Sequence, residues 1–98
     1  MNDNIFPVVL QAIPGPDYTV YAYMLDGTVR KVSVKHLIEQ GGVFEKLKDP
    51  DFFKNALTVM NDTVAWDLSG RFDPSDCIDI DPFTIADSEI VADPLIVA

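Results

Sequence analysis

A chain of 98 residues, 48% hydrophobic and with ten aromatics, builds one globular domain, because roughly 60 to 70% of its unfolded surface can leave water and a disordered chain could not offset its ordering entropy. The net charge of -9 repels a phosphate backbone, whose binding depends on Lys and Arg releasing counterions, so direct nucleic-acid binding is not expected. The lone Cys77 cannot form an internal disulfide, which excludes a disulfide-stapled scaffold and points to a reducing compartment.

In chain order, Pro7 to Ile13 reads as a first strand closed by Pro14-Gly15-Pro16-Asp17. Tyr18 to Leu25 is rich in β-formers and meets Thr28 to Val34 through Asp26-Gly27, which predicts a hairpin with a two-residue type I′ turn. In that register Met24 pairs with Val29, Ala22 with Lys31 and Val20 with Ser33. Both faces then carry apolar residues, which suggests a second layer or a subunit contact. Lys35 to Gln40 makes at most two helical turns and ends at Gly41-Gly42. Asp49-Pro50 starts a second short helix, with Asp capping the free amides and Pro at the first helical position. Leu57 to Met60 and Thr63 to Trp66 form a second hairpin across Asn61-Asp62, and Ile78, Ile80 and Phe83 belong to a last strand or extended segment. The expected fold class is α+β: antiparallel hairpins in a meander sheet, with two short helices between the hairpins. The domain covers residues 1–82, and an acidic and apolar tail, 83–98, docks on it or on a partner.

Charge is unevenly distributed. Residues 72 to 98 hold seven acids and no base, whereas residues 1 to 71 hold seven bases against nine acids. An acidic segment of this kind attracts a basic protein. Met1-Asn2-Asp3-Asn4 carries an acid where a secretory signal needs a base, and Pro7 and Pro14 interrupt the apolar run behind it. No window reaches the roughly eighteen apolar residues of a membrane span. A cytoplasmic location without membrane association is expected, and Asn61-Asp62-Thr63 is then an accidental glycosylation match.

The order of Val34 into Leu37-Ile38, Gly42-Val43-Phe44, Leu47, Asp49-Pro50-Asp51-Phe52-Phe53, and Val64-Ala65-Trp66 followed by Asp73 resembles the domain-of-unknown-function 2442 family (DUF2442). The likeness spans roughly residues 7 to 82, and the run from Gly42 to Phe53 is its specific part. It implies a small bacterial α+β protein with no established biochemistry. Some members are candidate antitoxins encoded beside toxins, and others carry an added helix-turn-helix, of which nothing after residue 82 shows the pattern.

Few residues carry recognisable chemistry. His36 and Cys77 stand alone, without CxxC or HxxxH spacing, so no metal ligand set is expected. Cys77 also lacks a neighbouring base and reads as a small buried hydrophobe. Asp73, Asp76, Asp79 and Asp81 concentrate carboxylates. They fail the calcium-loop template, since with Asp73 first the Gly position holds Ile78 and the closing Glu position holds Thr84. They are instead the expected partner-binding residues. Gly41-Gly42 has no phosphate-loop context, so no cofactor is expected. Tyr21, Tyr23, Phe44 and Trp66 could line a small pocket. The tail's five large aliphatics, Ile90, Val91, Leu95, Ile96 and Val97, would contribute on the order of 8 kcal/mol if buried, so the tail should dock, and Pro94 confines any tail strand to an edge.

These features predict a non-enzymatic protein-protein interaction module, the antitoxin-like half of a toxin-antitoxin pair, that forms a homodimer and covers a basic, toxin-like partner. The competing expectation is a ligand-binding or enzymatic domain that uses aromatic and acidic residues around Trp66 and Asp73.

Overall fold

The computed structural model describes residues 6–95. Two antiparallel sheets and a few short helices share one core. Strands β1 (Val9–Pro14), β2 (Thr19–Met24), β3 (Val29–Ser33) and β7 (Glu89–Val91) form a sheet in the order β1-β2-β3-β7. Strands β4 (Leu57–Met60), β5 (Thr63–Asp67) and β6 (Cys77–Asp79) form the other. Helix α1 (Lys35–Gln40), a 3-10 helix (Gly42–Lys48) and α2 (Pro50–Asn55) bridge β3 to β4, and α3 (Pro82–Ala86) separates β6 from β7. No helix among the described residues is long and apolar enough to cross a membrane.

The first hairpin departs from expectation by one residue. Gly27 N–H donates to Met24 O at 3.0 Å and Met24 N–H to Thr28 O at 2.9 Å, which leaves a three-residue loop, Leu25-Asp26-Gly27. Gly27 alone in it has positive φ, 91°, and Asp26 does not, so the turn is not type I′. Val20 therefore pairs with Val32, Ala22 with Arg30 and Tyr23 with Val29. The extra loop residue is favoured by burial: it sets Val32 beside Val20 on the core face and turns Lys31 and Ser33 outward, whereas the two-residue turn would place those two opposite buried Ala22 and Val20. The mirror-turn geometry appears at the other hairpins. Asn61 and Asp62 have φ of 53° and 64° between Met60 and Thr63, and Asp17 and Tyr18 have φ of 53° and 57° between β1 and β2.

The core lies between the sheets. Val9, Val20, Ala22 and Met24 face it from the first sheet, Val64 and Trp66 from the second, and Ile38, Leu47, Phe53 and Ile85 close it from the helices. Trp66 is fully buried and donates its indole N–H to Phe53 O at 3.0 Å, so its one polar atom is matched. Helix α2 begins as its sequence requires, with Asp49 Oδ1 accepting from Asp51 N–H at 3.0 Å and Pro50 at the first turn. Asp81-Pro82 repeats that signature and starts α3, with Asp81 accepting from Phe83 N–H at 2.9 Å. Phe83 thus belongs to a helix and not to the strand that carries Ile78, which ends at Asp79, and the last strand is β7.

Candidate functional site

A cleft of about 450 Å³ opens where the loop of the first hairpin, the segment before β1 and the end of α3 meet. Phe6, Pro7, Val8, Met24, Leu25 and Ala86 supply its apolar walls, and Arg30 and Asp26 its charges. The volume falls within the roughly 300 to 1,000 Å³ of small-molecule sites. Its rim is exposed and apolar: Phe6 is 69% and Leu25 60% exposed, and Phe83, 51% exposed, meets Phe6 edge-on with ring centres 5.7 Å apart.

Two side chains give the cleft its electrostatics. Pairing Ala22 with Arg30 puts a cation on the core-facing side of β3, where it lines the cleft together with Ala86 of α3. Its Nη1 donates to Ser88 O at 3.0 Å and its Nε to Thr28 Oγ1 at 3.4 Å, which fixes the guanidinium. Asp26 Oδ1 accepts from Thr28 Oγ1 at 2.6 Å and Thr28 N at 2.9 Å, and these bonds, with the charge of Arg30, hold its carboxyl below the usual carboxylate range.

The four expected partner-binding acids lie on one stretch but in different roles. Asp73 accepts from Ser75 Oγ and Ser75 N–H, bonds that lower its pKa and tie it into its own turn. Asp81 is spent on the α3 cap. Asp76 and Asp79 are exposed. Asp67, which the sequence reading did not single out, organises this loop: it accepts from Ser69 Oγ, Ser69 N–H and Phe72 N–H, and its pKa is lowered by them. The pattern Asp-x-Ser, repeated as Asp73-Pro74-Ser75, was the available signal, since such pairs hydrogen-bond two residues ahead.

The expected pocket residues are dispersed. Trp66 sits inside the core with no exposed surface, and Phe44 packs half-buried against that core. Tyr21 and Tyr23 stand on the opposite face of β2, where Tyr23 O–H donates to Asp93 at 2.6 Å. None of the four lines the cleft described above. His36 is exposed on α1. Cys77 is half-buried on β6, and burial together with the charges of Asp79, Asp67, Asp76 and Asp73 pushes its thiol up, the reverse of what a nucleophile needs. No His, Cys, Asp and Glu group able to hold a metal ion occurs among the described residues. No family model, curated protein or solved structure matches this chain.

Proposed function

We propose that this chain is a non-enzymatic protein-protein interaction module whose acidic C-terminal third covers a basic partner in the cytoplasm. The observation that carries the reading is the state of the acids after residue 72. The two ion pairs among the described residues, Lys35–Asp17 and Lys48–Glu45, both lie before residue 49, and although Lys31 stands opposite Glu89 across the β3–β7 ladder, no base comes within 4.0 Å of a carboxylate in that later segment. An uncompensated field of one sign steers an oppositely charged partner. The resemblance to DUF2442 adds the more specific reading, an antitoxin-like protein acting on a toxin encoded beside it. A homodimer belongs to the same proposal, because β7 is a sheet edge with exposed Ile90.

The test is association kinetics against the neighbouring gene's product across a salt series. Binding is expected to be fast at low salt and to slow as the field is screened over about 10 Å at 0.1 M. Asp76→Lys with Asp79→Lys should slow association while leaving the unfolding midpoint near wild type, since neither carboxylate caps an element. Asp81→Lys is the wrong probe, because it removes a helix cap worth about 1 kcal/mol. An association rate indifferent to both salt and the double reversal would rule the reading out.

A further inference from the structure

We infer that the cleft between Phe6, Leu25 and Ala86 is a binding site for a small amphipathic carboxylate, whose head meets Arg30 and whose apolar body lies along Met24, Val8 and Phe6. The argument starts from the unspent donors of Arg30. A guanidinium carries five N–H groups. Here Nη1 and Nε use one each, on Ser88 O and Thr28 Oγ1, and no carboxylate among the described residues comes within 4.0 Å of the side chain. The remaining donors sit on a side chain already anchored at two atoms, so a ligand would meet a preorganised fork, the shape that carboxylates accept in pairs. Apart from Arg30 and Asp26, both at one end of the first hairpin, the lining is apolar, which demands a ligand with one polar end.

Asp26 narrows the class further. Its Oδ1 is taken by Thr28, and its lowered pKa keeps it charged beside Arg30. In a chain of net charge -9, that second charge disfavours a dianion such as a phosphate monoester more than a monoanion. The shared chemistry is a terminal carboxylate on an apolar chain, whether a free medium-chain acid or the C-terminus of an apolar peptide. The site is independent of the acidic segment proposed for partner binding and stands or falls separately.

The test is calorimetric titration of the full chain with decanoate, decanol and decylamine, and with an N-acetylated tri-leucine peptide bearing a free C-terminal carboxylate. Decanoate or the peptide should bind saturably, and whichever binds names the source. Decanol should bind about tenfold more weakly than decanoate, the usual loss when a charge-assisted hydrogen bond is removed, and decylamine more weakly still. Leu25→Asp, at an exposed rim position that does not contribute to the core, should leave the circular dichroism spectrum and unfolding midpoint intact and weaken carboxylate binding at least tenfold. Failure of both carboxylates to bind overturns the inference. So does decanol or decylamine matching decanoate, or Leu25→Asp binding like wild type.

Discussion

Trp66 joins packing to polar satisfaction in a single side chain. Its indole is fully buried against Phe53, ring centres 5.4 Å apart, and its N–H is the partner of the Phe53 carbonyl. Trp66→Phe keeps an aromatic ring but strands that carbonyl, so a loss of about 1 to 3 kcal/mol is expected in urea unfolding followed by circular dichroism. Tyr23 makes a prediction of a different kind. Partial burial, then the hydrogen bond and charge of Asp93, push its phenol from 10.0 up to about 12. The folded state therefore holds the proton more tightly than the unfolded state. The stability this contributes is fully present below about pH 10 and is lost as pH rises through about pH 12. Urea midpoints measured from pH 9 to 12 should fall in wild type, and fall less steeply in Tyr23→Phe.

At the scale of elements, the two hairpin turns predict opposite responses to glycine chemistry. Asp62 adopts φ of 64° with a side chain that this conformation disfavours, and its backbone carbonyl accepts from Val9 N–H at 2.8 Å, a bond that any residue keeps. Asp62→Gly is expected to raise stability by about 0.5 to 1 kcal/mol, because glycine meets no steric cost there. Gly27, at φ of 91°, already uses that freedom, and Gly27→Ala should cost about 1 kcal/mol although a Cβ would meet nothing within 4 Å. A pair of thermal melts decides both. Asp81→Ala tests the α3 cap in the same way, with about 1 kcal/mol lost.

For the whole molecule, the tail decides what the outer face of the first sheet can do. Strand β7 pairs with β3, Val29 with Val91 and Lys31 with Glu89, and the chain beyond it brings Asp93 onto Tyr23. That leaves β7 as the sheet's outer strand, with Ile90 57% exposed. Sedimentation at high micromolar concentration should give about twice the 10.9 kDa of one chain, and Ile90→Lys should return it to one, since an edge lysine blocks strand pairing. A wild-type monomer under those conditions would remove the homodimer from the proposal.

What depends only on neighbours along the chain is legible in the residues alone. Asp49-Pro50 specifies a capped helix start, Gly41-Gly42 a helix end with φ of 80° and 65°, and Asn61-Asp62 a tight hairpin, each through local backbone geometry. Asp81-Pro82 was equally legible and was overshadowed by the alternation of Ile78 and Ile80, which continues the strand pattern only as far as the caps allow. Tertiary structure decided the rest. Whether Leu25-Asp26-Gly27 closes as two residues or three is nearly degenerate locally, and burial of Val32 beside Val20 settles it from across the sheet. The same one-residue shift sets Arg30 opposite Ala22 and so places a cation in the cleft. No local pattern marks that cleft, because its walls come from residues 6 to 8, 24 to 26, 30 and 86, which meet only once the segment before β1 and helix α3 are laid against the first hairpin. Trp66 on β5 faces the core whereas Tyr23 on β2 faces away from it, because side-chain direction follows strand register, and register is fixed by the core.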